Sequence, residues 1–271
     1  MSAASWYRVA LARPDGPALL VAASGEHMGT AIAAARSQVA GSWPVAAEHA
    51  NADEIPLGES VGKHHVVMLG DAADVTPFAW PTGVLPALGR SAAVADAHTG
   101  WIVRPDSELL VIEAQPDDEH VTDVFLGMVE RLPAADNLEV RVMSHFEDAA
   151  ASDVWLTSRI NAKKALRFLD DHDEELIGNG HLELSIYVRQ HKATLRLTEH
   201  KTVAWLAEGG ALEHEVGTWF GELGVPHVDT LVTVRDAPHF HYRPAKSLDR
   251  KKLGIELFRQ RLRKVAIVPV A

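Results

Sequence analysis

The sequence predicts an α+β protein, mainly antiparallel sheets with helices packed on one face, organised as two sub-domains at 1–150 and 151–271. Three observations carry this. Short β-rich runs come in hairpin-like pairs, segments with helical apolar spacing follow them, and the small polar run EDAAASD at 147–153 separates two stretches of different rhythm.

Residues 5–12 (SWYRVALA) and 18–23 (ALLVAA) read as strands joined by Arg13-Pro14-Asp15-Gly16-Pro17, whose prolines and glycine favour a turn. The alanine-rich 26–39 has helical spacing, and HHVVMLG at 64–70 reads as a short buried strand. From 71 to 100 the chain carries many prolines and glycines with little periodicity, which predicts an irregular segment.

A second ββα-like unit follows, with strands at 101–105 and 108–114, a helix at 117–131 opened by an acidic first turn, and a strand at 137–146. Arg-Pro-Asp, Leu-Leu-Val and Glu-His occur in that order in both units, which reads either as a decayed duplication or as the generic look of hairpin-then-helix patterns. Beyond 153 the expected order is strand 154–158, helix 161–177, strands 182–189, 193–199 and 202–206, helix 210–223, strands 228–235 and 239–243, and helix 248–264.

With 47% hydrophobic and 23% charged residues, the 271-residue chain can bury real cores. It contains no cysteine, which excludes disulfides, thiolate metal sites and cysteine catalysis. The N-terminus lacks a basic region followed by a sustained apolar run, and no window approaches a membrane-spanning length. These features predict a soluble cytoplasmic protein with no membrane partner.

A net charge of −11 argues against nucleic acid as the partner. The balance is uneven: residues 241–264 hold nine Lys/Arg against Asp249 and Glu256, so that segment is +7 and the remainder −18. Such asymmetry suits either an anionic partner or a basic helix lying against the protein's own acidic surface.

The stretch LDDHDEELIGNGH at 169–181 breaks two local rules. On a continuous helix Asp173 falls among the core-facing leucines, and the acids crowd the C-terminal end that the helix dipole disfavours. A helix ending at Asp171 dissolves both conflicts. Calcium-loop and zinc-helix spacings are absent, so no metal is expected there. Gly58-Glu59-Ser60-Val61-Gly62 matches the G-x-S-x-G pattern of a nucleophile elbow, but no strand precedes it and it reads as a loop.

His239-Phe240-His241-Tyr242 puts two imidazoles on one face of a strand. If Asp236-Ala237-Pro238 forms the hairpin loop, Arg235 pairs with His239 and Thr233 with His241. A polar sheet face then gathers Glu183, Ser185, Tyr187, Arg189, Thr194, Arg196, Thr233, Arg235, His239 and His241. Tyr187, Arg189, Arg196, Arg235, His239 and His241 are the candidate binding residues on that open face.

Read as one strand, LRLTEHKTVAW at 195–205 places Glu199-x-Lys201 in an apolar row. That arrangement resembles the E-x-K element of the PD-(D/E)xK nuclease superfamily. The resemblance implies Glu199, Lys201 and Glu183 as catalytic residues with magnesium or manganese; Glu183 serves because no aspartate lies between Asp173 and Glu199. The alternative is a hairpin turn.

No spacing brings together a nucleophile and base or three good metal ligands. The leading expectation is therefore a non-catalytic module of the adaptor or toxin-neutralising kind, without cofactor, that binds another protein through charged surfaces. The competing expectation is the divalent-metal nuclease.

Overall fold

The computed structural model describes residues 4–56, 65–73, 75–104 and 108–269. The first elements are β1 (Ser5–Ala12), β2 (Leu19–Gly25), α1 (Met28–Gln38), β3 (Trp43–Ala50), β4 (Val66–Asp71) and β5 (Val84–Pro86). Next come β6 (Gly100–Val103), β7 (Leu110–Gln115), α2 (Val121–Arg131), β8 (Asn137–Val142), β9 (Ala151–Leu156), α3 (Ala162–Asp170) and α4 (Asp173–Leu176). The chain continues through β10 (Leu182–Val188), β11 (Ala193–Leu197), β12 (Val203–Ala207), α5 (Glu213–Glu222), β13 (His239–His241), α6 (Arg250–Arg259) and β14 (Arg263–Pro269). The fold is α+β with antiparallel sheets, as expected. The Gly58–Gly62 motif lies outside the described residues.

Two compact units form, Met1–Ala97 with Val232–Lys246, and His98–Leu231 with Ser247–Ala271. The division expected at 150 instead falls inside the second unit. The reason is hydrogen bonding: β7 pairs with β12, and β8 pairs with both β9 and β10, so one sheet runs across that point.

In the first unit the sheet order is β3-β1-β2-β4, and β1 and β2 make the expected hairpin with Leu11 opposite Leu19. Val9, Leu11, Val21 and Ala23 join Met28, Ala31, Ile32 and Ala35 of α1 in one core. The other face is apolar too, with Ala10, Ala12, Val45 and Ala46 in a smaller cluster. The strand-to-helix turn requires glycine at 25, where a Cβ would stand 2.3 Å from Thr30 Oγ1. β3 was not expected from sequence, because a strand buried on both faces shows no alternation.

The short β13 pairs with β5, His239 opposite Pro86 and His241 opposite Val84. This corrects the predicted hairpin of 228–235 with 239–243. Val234–Asp236 is instead a 3-10 turn. The Asp236 carboxylate accepts from the Thr233 backbone N–H at 2.7 Å and its hydroxyl at 3.1 Å, so a side chain satisfies groups that a strand ladder would have used.

The second unit is built on an eight-stranded sheet, β14-β9-β8-β10-β11-β12-β7-β6. One face is apolar: Leu138 and Val140, Leu184 and Ile186, Leu195 and Trp205 share a core with Phe125 and Met128 of α2, Leu169 of α3, Phe220 of α5 and Leu257 of α6. Helices therefore cover this face, and period-two alternation sends the polar residues of the same strands to the other. The two ββα-like segments also diverge in pairing: β3 returns to β1, whereas β8 lies between β9 and β10.

The helix expected at 161–177 breaks after Asp170. The His172 ring Nδ1 lies 3.0 Å from the Phe168 carbonyl, and the chain restarts as α4 with Asp173, Glu174 and Glu175 in its first turn. The first conflict disappears, because Asp173 is exposed, and the second is reduced: Asp173, Glu174 and Glu175 stand at a helix start, while Asp170 and Asp171 still close α3.

Candidate functional site

The expected polar face exists on β8, β10 and β11. Across β8 and β10, Arg141 faces Glu183, Glu139 faces Ser185, and Asn137 faces Tyr187; across β10 and β11, Ser185 faces Arg196 and Tyr187 faces Thr194. This register makes an alternating ionic row. Arg141 Nη2 lies 3.0 Å from Glu139 Oε1, and the Tyr187 hydroxyl donates to Glu139 Oε2 at 2.6 Å. Arg196 Nε meets Glu183 Oε1 at 3.6 Å, an ion contact too long for a hydrogen bond. Arg189 sits just past β10, its Nη2 donating to Asn137 Oδ1 at 2.9 Å and its backbone N–H to Asp136.

The face is not open as expected, because Glu139 and Glu183 are only 7% and 8% exposed. Burial raises the Glu183 carboxyl above the ordinary carboxylate range; Arg196 opposes that shift and Glu199 adds to it. Burial, together with the bond to Glu139, pushes the Tyr187 phenol up to about 12. Cations and anions on this face are mutually engaged, which suits an internal ionic lattice better than a docking surface.

Arg235, His239 and His241 are not on the strands of this sheet. They belong to the first unit, with Arg235 in the 3-10 turn and the two histidines on β13. The imidazoles stand together, ring centroids 5.0 Å apart, and His239 Nδ1 lies 2.7 Å from the Ala237 carbonyl.

Glu199-x-Lys201 is a hairpin turn and not a strand. Leu197 pairs with Val203, and the Lys201 backbone N–H donates to the Thr198 carbonyl at 3.0 Å. Glu199 Oε1 lies 3.5 Å from His200 Nδ1. Lys201 is fully buried and its ammonium donates to the Asn179 carbonyl, so a bound substrate has no path to its nitrogen. Among the described residues, Glu139, Glu183 and Glu199 do not bring three carboxylate oxygens within 4.8 Å of one another. The ligand convergence that a divalent-metal centre needs is missing from this group.

A different surface was missed from sequence. Residues 248–264 read as one helix, but α6 stops at Arg259 and the chain turns back as β14, the outermost strand of the large sheet. The stop is a Schellman motif: the Leu262 N–H donates to the Leu257 carbonyl and the Arg261 N–H to the Phe258 carbonyl, each at 3.0 Å. Leu257 and Leu262 are both buried, which supplies the hydrophobic contact of that motif. Arg261 occupies the left-handed position at φ +68, where glycine is the usual residue. The signal available in sequence was the β-branched run Val265-Ala266-Ile267-Val268 ending in Pro269.

Large apolar side chains are exposed on both of these elements. Ile255 and Phe258 on α6 and Val265, Ile267 and Val268 on β14 are between 43% and 62% exposed. The Arg263 guanidinium lies over the Phe258 ring at 5.0 Å and so links helix to strand. Lys252, Arg259 and Lys264 are held by Asp249, Glu256 and Asp153. Among the described residues Lys251, Arg261 and Arg263 meet no carboxylate. Arg250 is different: it is an anchor, donating to the carbonyls of Met143, Phe146 and Ala151 and contacting Asp153.

Among the described residues no helix is long and apolar enough to cross a membrane. Comparison with protein-family models, with curated proteins and with solved structures finds no match.

Proposed function

We propose that this protein is a non-catalytic binding module of the adaptor or toxin-neutralising kind. Its docking surface is the α6–β14 flank of the second unit, and its partner is an acidic protein. The observation that carries the reading is that Phe258 on α6 and Ile267 on β14 are 57% and 62% exposed, on two successive elements that the Arg263–Phe258 contact links and that also carry exposed Lys251, Arg261 and Arg263. Large apolar side chains exposed together and rimmed by charge are typical of interaction sites. The exposed cations Lys251, Arg261 and Arg263 favour a negatively charged partner, since complementary potential steers association and excludes wrong partners.

This reading puts the docking surface elsewhere than Tyr187, Arg189 and Arg196, whose side chains engage Glu139, Asn137 and Glu183. The test compares affinity capture by the wild-type protein with capture by the Phe258→Glu and Ile267→Glu variants, followed by titration of the captured protein in purified form. The variants should lose at least tenfold in affinity, and raising salt should weaken the wild-type complex, because exposed ion contacts are screened. Unchanged affinity in both variants would sink the reading. A complex indifferent to salt would remove its electrostatic part.

A further inference from the structure

Resting on that reading, we infer that the partner docks by strand addition: an acidic extended segment pairs antiparallel with β14 and becomes the ninth strand of the large sheet. β14 ends the strand order and is hydrogen-bonded to β9 on one side only. Among the described residues nothing pairs with its other edge. It is seven residues long, and residues 263–268 are all exposed. An edge of this kind presents a row of main-chain donors and acceptors to any extended chain that meets it.

The ends of β14 carry the devices that normally blunt an edge. Arg263 and Lys264 stand at its start, the register to β9 shifts between Lys264 and Ala266, and Pro269 closes it. Cations at a strand edge repel an identical edge, so these residues disfavour a second copy of this chain. Toward an acidic strand the charge of Arg263 becomes attractive, while Lys264 is already held by Asp153. The central run Ala266–Val268 carries no such device, and its main-chain groups are the ones available for pairing.

A lipid surface also suits a basic, apolar flank, but it cannot serve this edge. Unpaired backbone groups at the rim of a sheet find no partner in hydrocarbon and would be costly to insert. An extended peptide satisfies them, and its alternation fits the strand: Ile267 lies opposite Asp153 and Arg263 opposite Leu156, so the two point to opposite faces, and an alternating partner offers an apolar residue to Ile267 and an acid to Arg263.

The probe is a seven-residue capped peptide of alternating glutamate and isoleucine, titrated into the full chain by fluorescence anisotropy. Controls are a twin N-methylated at alternate residues, a lysine-for-glutamate version, and vesicles of phosphatidylcholine with phosphatidylserine. The acidic peptide should bind. Its N-methylated twin, with the same side chains but without the pairing N–H groups, should bind at least tenfold more weakly. Amide exchange at 265–268 should slow at least tenfold on binding.

Equal binding by the twin would overturn strand addition while leaving the docking flank intact, which the glutamate variants test separately. No binding by either peptide, with exchange at 265–268 unchanged, would overturn it as well. Tighter binding to the vesicles than to the peptide would replace the inference with a lipid surface. Dimerisation in sedimentation that Ile267→Lys abolishes would replace it with a second copy. Ile267→Lys alters an exposed side chain, and far-ultraviolet circular dichroism checks that the fold is kept.

Discussion

Lys201 donates its side-chain N–H to the main-chain carbonyl of Asn179 at 2.6 Å, and both residues are 0% exposed. The lysine closes the β11–β12 turn in a left-handed conformation, φ +63, and from there its side chain ties the turn to the segment preceding β10. A buried ammonium is disfavoured unless it is paired, and a single carbonyl satisfies only one of its three protons. Burial therefore lowers its pKa to about 7, with Glu199 opposing part of the shift.

The sign of the resulting pH dependence follows from linkage. The folded pKa of about 7 lies below that of an unfolded lysine, so between about 7 and 10 the unfolded chain holds a proton that the folded chain lacks. Stability contributed at this site thus rises with pH across that window and is lowest below it. Lys201→Met removes the penalty together with the hydrogen bond. Relative to wild type, the variant should be destabilised by about 1–2 kcal/mol at pH 10, where only the lost bond and orphaned carbonyl count. It should become equal or more stable at pH 6. Urea denaturation at the two pH values measures the difference, and a pH-independent gap would show that Lys201 titrates normally.

On the sheet face, Tyr187 and Glu139 form the shortest bond of the ionic row at 2.6 Å. Tyr187→Phe leaves a buried carboxylate oxygen without its donor, and a bond to a charged acceptor is worth about 1.5–3 kcal/mol. A loss of about 2 kcal/mol in urea denaturation is expected. Because the folded phenol titrates near 12 and an unfolded one near 10, wild-type stability should fall as pH climbs between them. The phenylalanine variant should lack that part of the slope. Tyrosinate absorbance in the folded protein should accordingly lag behind that of the denatured chain.

Much of this architecture was legible where one face of an element is wet. The β1–β2 hairpin, α2, β10, β11 and the polar row of Glu183, Ser185, Tyr187, Thr194 and Arg196 follow from alternation and turn chemistry alone. β3 was hidden because both its faces are buried, and β14 because charged residues at 259–264 continue the apparent basic stripe of α6 through the helix stop. The segment 228–235 alternates like a strand but yields to a local bond from Asp236, which no periodicity reveals. His239 and His241 were correctly paired with each other on a strand and wrongly joined to Arg235. The pairing partner of that strand is set by β5, over 150 positions earlier in the chain.

Arg261 separates stability from binding. It holds the left-handed position of the Schellman motif that ends α6, where a side chain costs about 1 kcal/mol relative to glycine. Arg261→Gly should therefore raise stability by about 1 kcal/mol in urea denaturation. If Arg261 were only a residue of the helix end, the exchange would have no other effect. Its guanidinium is exposed and stands between Phe258 and Arg263 in sequence, in the basic rim of the apolar flank. The same substitution should weaken capture of the acidic partner by about twofold to fivefold at low salt and by less at high salt, as an exposed charge contributes up to about 1 kcal/mol and is screened. A variant that gains stability and loses affinity together would mean that the arginine is kept at this turn for what it meets outside the molecule. Gained stability with affinity unchanged would remove Arg261 from the docking surface.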